Sequence, residues 1–334
     1  MISVGIVGIT GFTGLELIKI LLSHTNVSID YIASRSETGK KISDVYPEFV
    51  DVFEKEIEAI DIDKISQLDV VFLALPHTVS LNVAKQLKGN VRVIDLSADF
   101  RLKDISVYEK WYKVKHEAEE LLESAVYGLP ELNYEKVKTA KIVANPGCYA
   151  TSVILGVAPV AEYAISVIAD AKSGVSGAGR GLKEGLQFCE VNENFKAYSI
   201  EGHRHIPEME QELSRFNENI RVMFIPHLLP IQRGILSTIY IDVKKEMDFK
   251  ALYKDFYKDA PFVRVVDKPP TLNSVKGTNF CDIYVRFDER VKKLVVISVI
   301  DNLIKGASGQ AVQNMNIMFN LNQKEGLILK PYYP

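Results

Sequence analysis

Through roughly the first 147 residues, short β-branched runs alternate with stretches of helical periodicity. Residues 4–9, 28–33, 70–75, 92–96 and 141–144 read as strands of a parallel sheet buried on both faces. Between the first two, residues 14–23 place Leu15, Ile18, Leu21 and Leu22 on one helical face, as a core stripe. This βαβ alternation predicts a doubly wound α/β domain. After Cys148 the pattern changes. A helix through Leu155 is followed by long apolar runs at 220–225, 234–243, 280–287 and 293–300, several joined by short polar connections. That is the pattern of an antiparallel sheet with helices segregated to one side, and it predicts a second, α+β domain. A further amphipathic helix should begin near Pro207, with Met209, Leu213 and Phe216 as its core stripe. No internal repeat or low-complexity linker marks the boundary near 147; only the change of pattern does.

Composition narrows the function. A chain of 334 residues has length for two cores, and 47% hydrophobic with 25% charged residues describes an ordinary globular protein. Forty basic against forty-three acidic residues leave a net charge of -3. That balance gives no electrostatic footprint for nucleic acid or an anionic membrane, so a small-molecule partner is expected. No apolar run reaches the roughly 18 residues that span a bilayer, and no charged n-region precedes the apolar start, so a cytoplasmic location is expected. The three cysteines, at 148, 189 and 281, form no CxxC pair, and their odd number leaves at least one free.

Three local patterns carry chemistry. The first strand runs into Gly8-Ile9-Thr10-Gly11-Phe12-Thr13-Gly14 and then a helix, where backbone N–H groups can hold a pyrophosphate. The spacing is GxxGxxG rather than GxGxxG, so a purely structural turn also fits. The second strand ends in Ser34-Arg35-Ser36. A guanidinium flanked by hydroxyls suits the 2′-phosphate of NADP, where an acidic residue would suit the NAD ribose; a solvated loop arginine is the plain alternative. The third pattern is Asn145-Pro146-Gly147-Cys148-Tyr149-Ala150-Thr151, which sets a cysteine at a helix N-terminus. There the dipole and unpaired N–H groups stabilise a thiolate and can hold an oxyanion. Cys189 and Cys281 are expected to be buried packing residues. A nucleophilic cysteine also needs a proton carrier, and His203 and His205 gather at the start of the helix near Pro207. Their i, i+2 spacing lacks a third ligand with familiar zinc geometry, so no metal is expected. The other four histidines are read as structural.

Taken in order, GITGFTGLEL, DLSADFRL, ANPGCYATS, SGVSGAGR, HRHIPEMEQ, PIQRGILST and KGASGQAVQN resemble the N-acetyl-gamma-glutamyl-phosphate reductases, relatives of aspartate-semialdehyde dehydrogenase, over essentially the whole chain. The resemblance implies a Rossmann-like doubly wound parallel sheet domain plus an α+β catalytic and dimerisation domain with a mixed, largely antiparallel sheet. It implies Cys148 as nucleophile, His203 as general acid/base, and Ser173, Gly174, Tyr198, His205 and Glu208 lining the substrate pocket. Arg101 matches the phosphate-holding arginine of the wider superfamily, with Arg233 a weaker candidate, and Asn145 would orient the acyl carbonyl. Gly8, Thr10, Gly11, Phe12, Thr13, Gly14, Ser34, Arg35, Ser36 and Asn314 would bind NADP(H). Residues 305–314 resemble a returning helix beside the nicotinamide, so the cofactor domain is expected to be discontinuous, 1–147 with 306–334, around a catalytic domain of 148–305. The implied reaction is NADPH-dependent reduction of an acyl phosphate to an aldehyde through a cysteine thioester, by a homo-oligomer, dimer or tetramer. Two other readings stand beside it: the same chemistry on a carrier-protein-bound aminoadipyl or glutamyl phosphate, and a non-catalytic dinucleotide-binding redox sensor.

Overall fold

Two sheets organise the chain, each in its own unit. The computed structural model describes residues 1–327, 330 and 331; of the expected 306–334 return, residues 328, 329 and 332–334 lie outside the described part. The first unit comprises Met1–Glu109, Val114–Asn145 and Ala311–Leu327, and the second Lys110–Lys113 and Pro146–Gln310, so the chain crosses over at 145/146 and again at 310/311.

The first unit is built on β1 (Ile2–Val7), β2 (Val27–Ala33), β3 (Val70–Leu73), β4 (Arg92–Asp95), β5 (Val126–Tyr127) and β6 (Ile142–Ala144), in the order β2-β1-β3-β4-β6-β5. Every pair is parallel. Strand order reverses at β1, with β2 on one side and β3 on the other, which opens a crevice at the carboxyl ends of β1 and β3. Val4, Ile6, Val7, Phe72, Leu73 and Ile94 are fully buried, at about 1.5–3 kcal/mol each for a large apolar side chain. The helix Phe12–Leu22 presents Gly14, Leu17, Ile18 and Leu21 to the core, while Leu15 is half-buried and Leu22 is 39% exposed. The expected stripe was therefore misplaced at Leu15 and Leu22. A side chain on Gly14 would lie 2.5 Å from the Gly8 carbonyl oxygen, so the helix is pressed onto the turn through residue 14 and turns that row inward.

The second sheet has β7 (Ala164–Gly174), β8 (Lys196–Ala197), β9 (Val222–Leu229), β10 (Ile235–Val243), β11 (Val263–Val265), β12 (Cys281–Asp288) and β13 (Lys293–Ile300), in the order β11-β12-β13-β10-β7-β9-β8. Pairs β7/β10, β10/β13, β12/β13 and β8/β9 are antiparallel, and β7/β9 and β11/β12 parallel. β9 and β10 are consecutive in sequence but not neighbours, because β7 lies between them. The helix Cys148–Val157 is buried over the rest of its length and packs on β10 and β13. Small groups allow the close approach: Ser152 Oγ bonds Ser237 Oγ at 2.9 Å, and a side chain on Gly156 would meet Ile239 Cδ1 at 2.5 Å. The helix Ile206–Leu213 buries Met209 and Leu213, but ends before Phe216, which is half-buried and packs edge-on against Phe256. Cys281 is buried as expected, whereas Cys189 is exposed. The short helix Phe188–Val191 that carries Cys189 buries none of its residues, so it has no core to contribute to. Among the described residues no helix is long and apolar enough to cross a membrane.

Candidate functional site

In the first unit the turn after β1 is shaped by its glycines. Gly8 has φ +99°, and a side chain there would lie 2.3 Å from the Ala74 carbonyl oxygen, so only glycine fits. Over Gly11 the space is open: a Cβ would meet only Gly8 O, at 3.6 Å. Gly11 is the N-cap of the helix Phe12–Leu22, no side chain caps that helix, and no acidic residue occupies its first turn. This is the arrangement of backbone donors and positive dipole end that receives a pyrophosphate. The end of β2 is fastened beside the turn. Buried Ser34 shares its hydroxyl with Thr10 Oγ1 at 3.1 Å and takes the Ser36 N–H at 3.2 Å, and Arg35 between them is exposed. Tyr46, which sequence reasoning missed, donates its hydroxyl to Thr10 O at 3.1 Å.

The same unit holds Asn314 fully buried. Its Nδ2 donates to Gly128 O at 2.9 Å and to Asn145 Oδ1 at 3.2 Å, while its Oδ1 is buried with no hydrogen-bond partner. Such an oxygen costs about 1–3 kcal/mol until a donor reaches it, and the carboxamide N–H of a nicotinamide is such a donor. The glycine turn and Asn314 thus fit a nicotinamide dinucleotide. Arg101 is 8% exposed and commits Nε to Asn145 O at 2.8 Å and Nη2 to Leu96 O at 3.0 Å, which fastens the peptide at the end of β6.

In the second unit Cys148 is the first residue of its helix, with Gly147 as N-cap. Thr151 returns its N–H and its hydroxyl to Gly147 O, at 2.8 and 3.2 Å, and closes the first turn. The Gly147 N–H donates to Glu208 Oε2 at 3.0 Å, and Glu208 is fully buried. Two further close approaches surround the backbone at Cys148. A side chain on Gly147 would stand 2.5 Å from His205 Nε2, and one on Gly306 would stand 2.7 Å from Cys148 Cβ. Gly306 belongs to the π-helical turn Ile304–Ser308, an irregularity often kept at functional sites. Buried Asp301 holds that turn by accepting the N–H groups of Leu303 and Gly277, both at 2.8 Å, and Arg233 Nη1 lies 3.6 Å from its carboxylate. At the end of β7 the Ser173 hydroxyl donates to Gly174 O at 3.0 Å, and Gly174 passes so close to residues 232–233 that a Cβ would lie 2.6 Å from Gln232 O.

The histidines are held by an aromatic cage. His203 meets Tyr149, Tyr198, His205 and Phe224 edge-on, with ring centroids 4.7–5.9 Å apart. The His205 N–H donates to His203 Nδ1 at 3.1 Å, which leaves the neutral ring with its proton on Nε2. Burial, then the neighbouring His205 and Arg204, pull the His203 pKa from 6.5 down to about 3, against the opposing pull of Glu208. His205 Nε2 lies 3.9 Å from Glu208 Oε1, a counter-ion for its protonated form. The second unit thus gathers Cys148, Tyr198, His203, His205 and Glu208, and Ser173 joins them through Tyr149, whose hydroxyl it faces. Arg101, Asn145 and Asn314 belong to the first unit. Tyr149, Phe224, Gly306 and Trp111 were missed; Trp111 packs against Gly202, where a Cβ would be 3.2 Å from its ring. Tyr149 and Gly306 sit inside motifs already singled out, whereas nothing in the sequence near Trp111 or Phe224 marks them.

Comparison with known proteins agrees with this division. Residues 3–140 match the family model described as semialdehyde dehydrogenase, NAD binding domain, and residues 148–302 the one described as semialdehyde dehydrogenase, dimerisation domain. The chain is 47% identical over 345 residues to the N-acetyl-gamma-glutamyl-phosphate reductase of Thermoanaerobacter sp. (strain X514), with all of both chains covered. It is also 47% identical over 347 residues to the protein of that name from Desulfotalea psychrophila, again at full coverage. Among solved structures, aspartate semialdehyde dehydrogenase II from Vibrio cholerae, complexed with ASA, superposes with TM-score 0.71 at 17% identity, over 96% of this chain and 98% of that one. Aspartate semialdehyde dehydrogenase with NADP from Candida albicans does so with TM-score 0.72 at 16% identity, over 96% and 98%. Those two likenesses concern the fold; it is the near-half identity along the full length that makes this chain a member of the N-acetyl-gamma-glutamyl-phosphate reductase family, within the semialdehyde dehydrogenases.

Proposed function

We propose that this protein reduces N-acetyl-L-glutamyl 5-phosphate with NADPH to N-acetyl-L-glutamate 5-semialdehyde and phosphate, as a cytoplasmic step of arginine biosynthesis. The observation that carries the proposal is Cys148 at a helix start that no side chain caps, beside two glycines, Gly147 and Gly306, that leave no room for a side chain, with the His205–Glu208 pair against Gly147. NADPH, when bound, supplies the hydride. Gly8, Thr10, Gly11, Phe12, Thr13 and Gly14 hold its pyrophosphate, Ser34, Arg35 and Ser36 its 2′-phosphate, and Asn314 its carboxamide.

Chemically, the Cys148 thiolate attacks the acyl carbon and forms a C–S bond as the C–O bond to phosphate breaks. Hydride addition to the thioester gives a thiohemiacetal oxyanion, which collapses to aldehyde and regenerates the thiolate. Backbone N–H groups at the start of the Cys148–Val157 helix support the oxyanion. The sum consumes one proton, taken by the departing phosphate. His203, neutral with its proton on Nε2, serves as a hydrogen-bond donor to the acyl oxygen, and proton delivery falls to His205, whose protonated form has Glu208 as counter-ion. The general acid/base role expected for His203 is thereby divided between the two rings. Arg101 and Arg233 are assigned to the substrate phosphate and Asn145 to the acyl carbonyl. The homo-oligomer, dimer or tetramer, is assigned to the open face of the second sheet, where Ile165, Ile168, Met223 and Tyr240 are 67%, 37%, 61% and 39% exposed.

Purified protein should oxidise NADPH faster with N-acetyl-glutamyl phosphate than with carrier-linked aminoadipyl phosphate or aspartyl phosphate. Preference for the carrier-linked compound would move the substrate and keep the chemistry; silence on all three would refute the reading. Arg35→Ala is expected to raise the KM for NADPH by roughly 10- to 100-fold, the worth of a charged hydrogen bond, and to leave use of NADH nearly unchanged. An equal loss with both cofactors would remove the 2′-phosphate assignment.

A further inference from the structure

Beside His203, two tyrosine hydroxyls form a chain with a fixed direction. A carbonyl can only accept, so the bond from Tyr149 Oη to His227 O, at 2.9 Å, uses the single proton of Tyr149. The Tyr149 oxygen in turn receives the Tyr198 hydroxyl, at 3.4 Å, which uses the single proton of Tyr198. What remains on the Tyr198 oxygen is lone-pair density. The Ser173 hydroxyl, which also faces Tyr149, gives its proton to Gly174 O and leaves this direction unchanged. Both phenols stay protonated, because burial pushes Tyr149 above its ordinary 10.0 and Tyr198 up to about 12.

The backbone locks the chain in place. Ala197 pairs with His227 across β8 and β9, and the Tyr198 N–H donates to Pro226 O at 3.1 Å. The strand position that takes the Tyr149 proton therefore also sets where Tyr198 stands. The Tyr198 ring lies edge-on to His203, centroids 5.9 Å apart, and its hydroxyl bonds Tyr149, the residue after Cys148, so half-buried Tyr198 stands in the same cluster as the cysteine and the histidine.

We propose that Tyr198 determines specificity as an acceptor-only oxygen, selecting a substrate that carries a secondary-amide N–H four bonds from its reacting carbonyl carbon. The inference rests on the reductase reading above, whose substrate has an acylated α-nitrogen at that distance. A ligand lacking the N–H faces lone pairs with lone pairs, and the Tyr198 hydroxyl cannot turn to donate without giving up Tyr149. The 3.4 Å bond is long, and an incoming N–H would strengthen it, since accepting a hydrogen bond polarises a hydroxyl as donor.

The test runs in the reverse direction, with NADP, inorganic phosphate and either N-acetylglutamate 5-semialdehyde or its ester isostere, 2-acetoxy-5-oxopentanoate. Wild type is expected to favour the amide by about 10- to 100-fold in kcat/KM, the cost of leaving a buried acceptor unmatched. Tyr198→Phe should lose that preference by falling on the amide, mainly through KM. Tyr149→Phe should lose it in the opposite way, by gaining on the ester, because the freed Tyr198 proton can then be donated to the ester oxygen. Melting temperatures of both variants check folding. A Tyr198→Phe enzyme that keeps the wild-type preference, or a wild type with none, overturns the proposal. Absence of wild-type turnover with the amide aldehyde defeats the reductase reading itself, and this inference with it.

Discussion

Cys148→Ser is expected to lower turnover by about four orders of magnitude while leaving NADPH binding and folding intact. The reason lies in what a helix start can do. Dipole and N–H groups lower a thiol pKa from near 8.5 toward neutrality, but the same few kcal/mol leave a serine hydroxyl almost wholly protonated at pH 7. The substitution is nearly isosteric at a half-buried site, and the neighbouring contacts through Gly147, Gly306 and Glu208 are backbone or remote from the sulfur, so the melting temperature should barely move. Rapid-quench measurement of phosphate release without NADPH separates the steps. Wild type should show a stoichiometric burst as thioester accumulates, and the serine variant none. Cys189→Ser, at an exposed position outside the cluster, serves as the matched control and should retain the burst. A serine enzyme within tenfold of wild type would remove covalent catalysis from the mechanism.

The parts of this fold that could be read from sequence are those whose period is strong and whose ends carry their own signals. β1 and the helix Phe12–Leu22 are joined by a turn in which Gly8 and Gly14 admit no side chain, and β13 matches its apolar run end to end. What escaped was β7, the longest strand of the second sheet and its link between β9 and β10. Its buried positions include Ala164, Ala169, Ala171 and Ser173, too small for a strong alternation, while Ile165 and Ile168 on the other face are exposed. A strand whose inner face is small and whose outer face is apolar reverses the usual cue. β5, two residues long, lies below any periodic signal.

The candidate site divides in the same manner. The place of Cys148 is legible because it depends on local features, a turn and a helix start. Tyr149 was not, although it is the next residue, because its role comes from partners about fifty and eighty positions away in sequence, Tyr198 and His227. Gly306 reads as a motif glycine; that it is there to make room for Cys148 Cβ follows only from tertiary packing. The protonation state of His203 is the clearest case. Residue type alone points to a titrating carrier near pH 6.5, and it takes the cage of Tyr149, Tyr198 and Phe224 and the His205 N–H to make it a neutral donor.

His203→Gln should therefore separate two functions normally assigned to one histidine. Glutamine keeps a neutral N–H donor but loses the ring by which the cage and the His205 N–H aim it, and a donor no longer aimed at developing negative charge costs up to about 10²- to 10³-fold in kcat. The neutral-range limb of the kcat/KM profile should survive, because the group titrating there is not His203, held neutral above about pH 3. Stability supplies the second readout, with a definite sign. Above the ordinary value of 6.5 folded and unfolded His203 are both neutral; between 6.5 and about 3 the unfolded chain binds a proton that the folded one refuses, so wild-type stability falls as pH falls. For one proton that slope is about 1.4 kcal/mol per pH unit across the middle of the window. The glutamine variant lacks the group, so its melting temperature should decline less steeply from pH 6.5 to 4, and the two curves should run parallel above pH 7. If instead the neutral limb vanished in His203→Gln and the acid slopes matched, His203 would be the proton carrier, and His205 with Glu208 would merely position it.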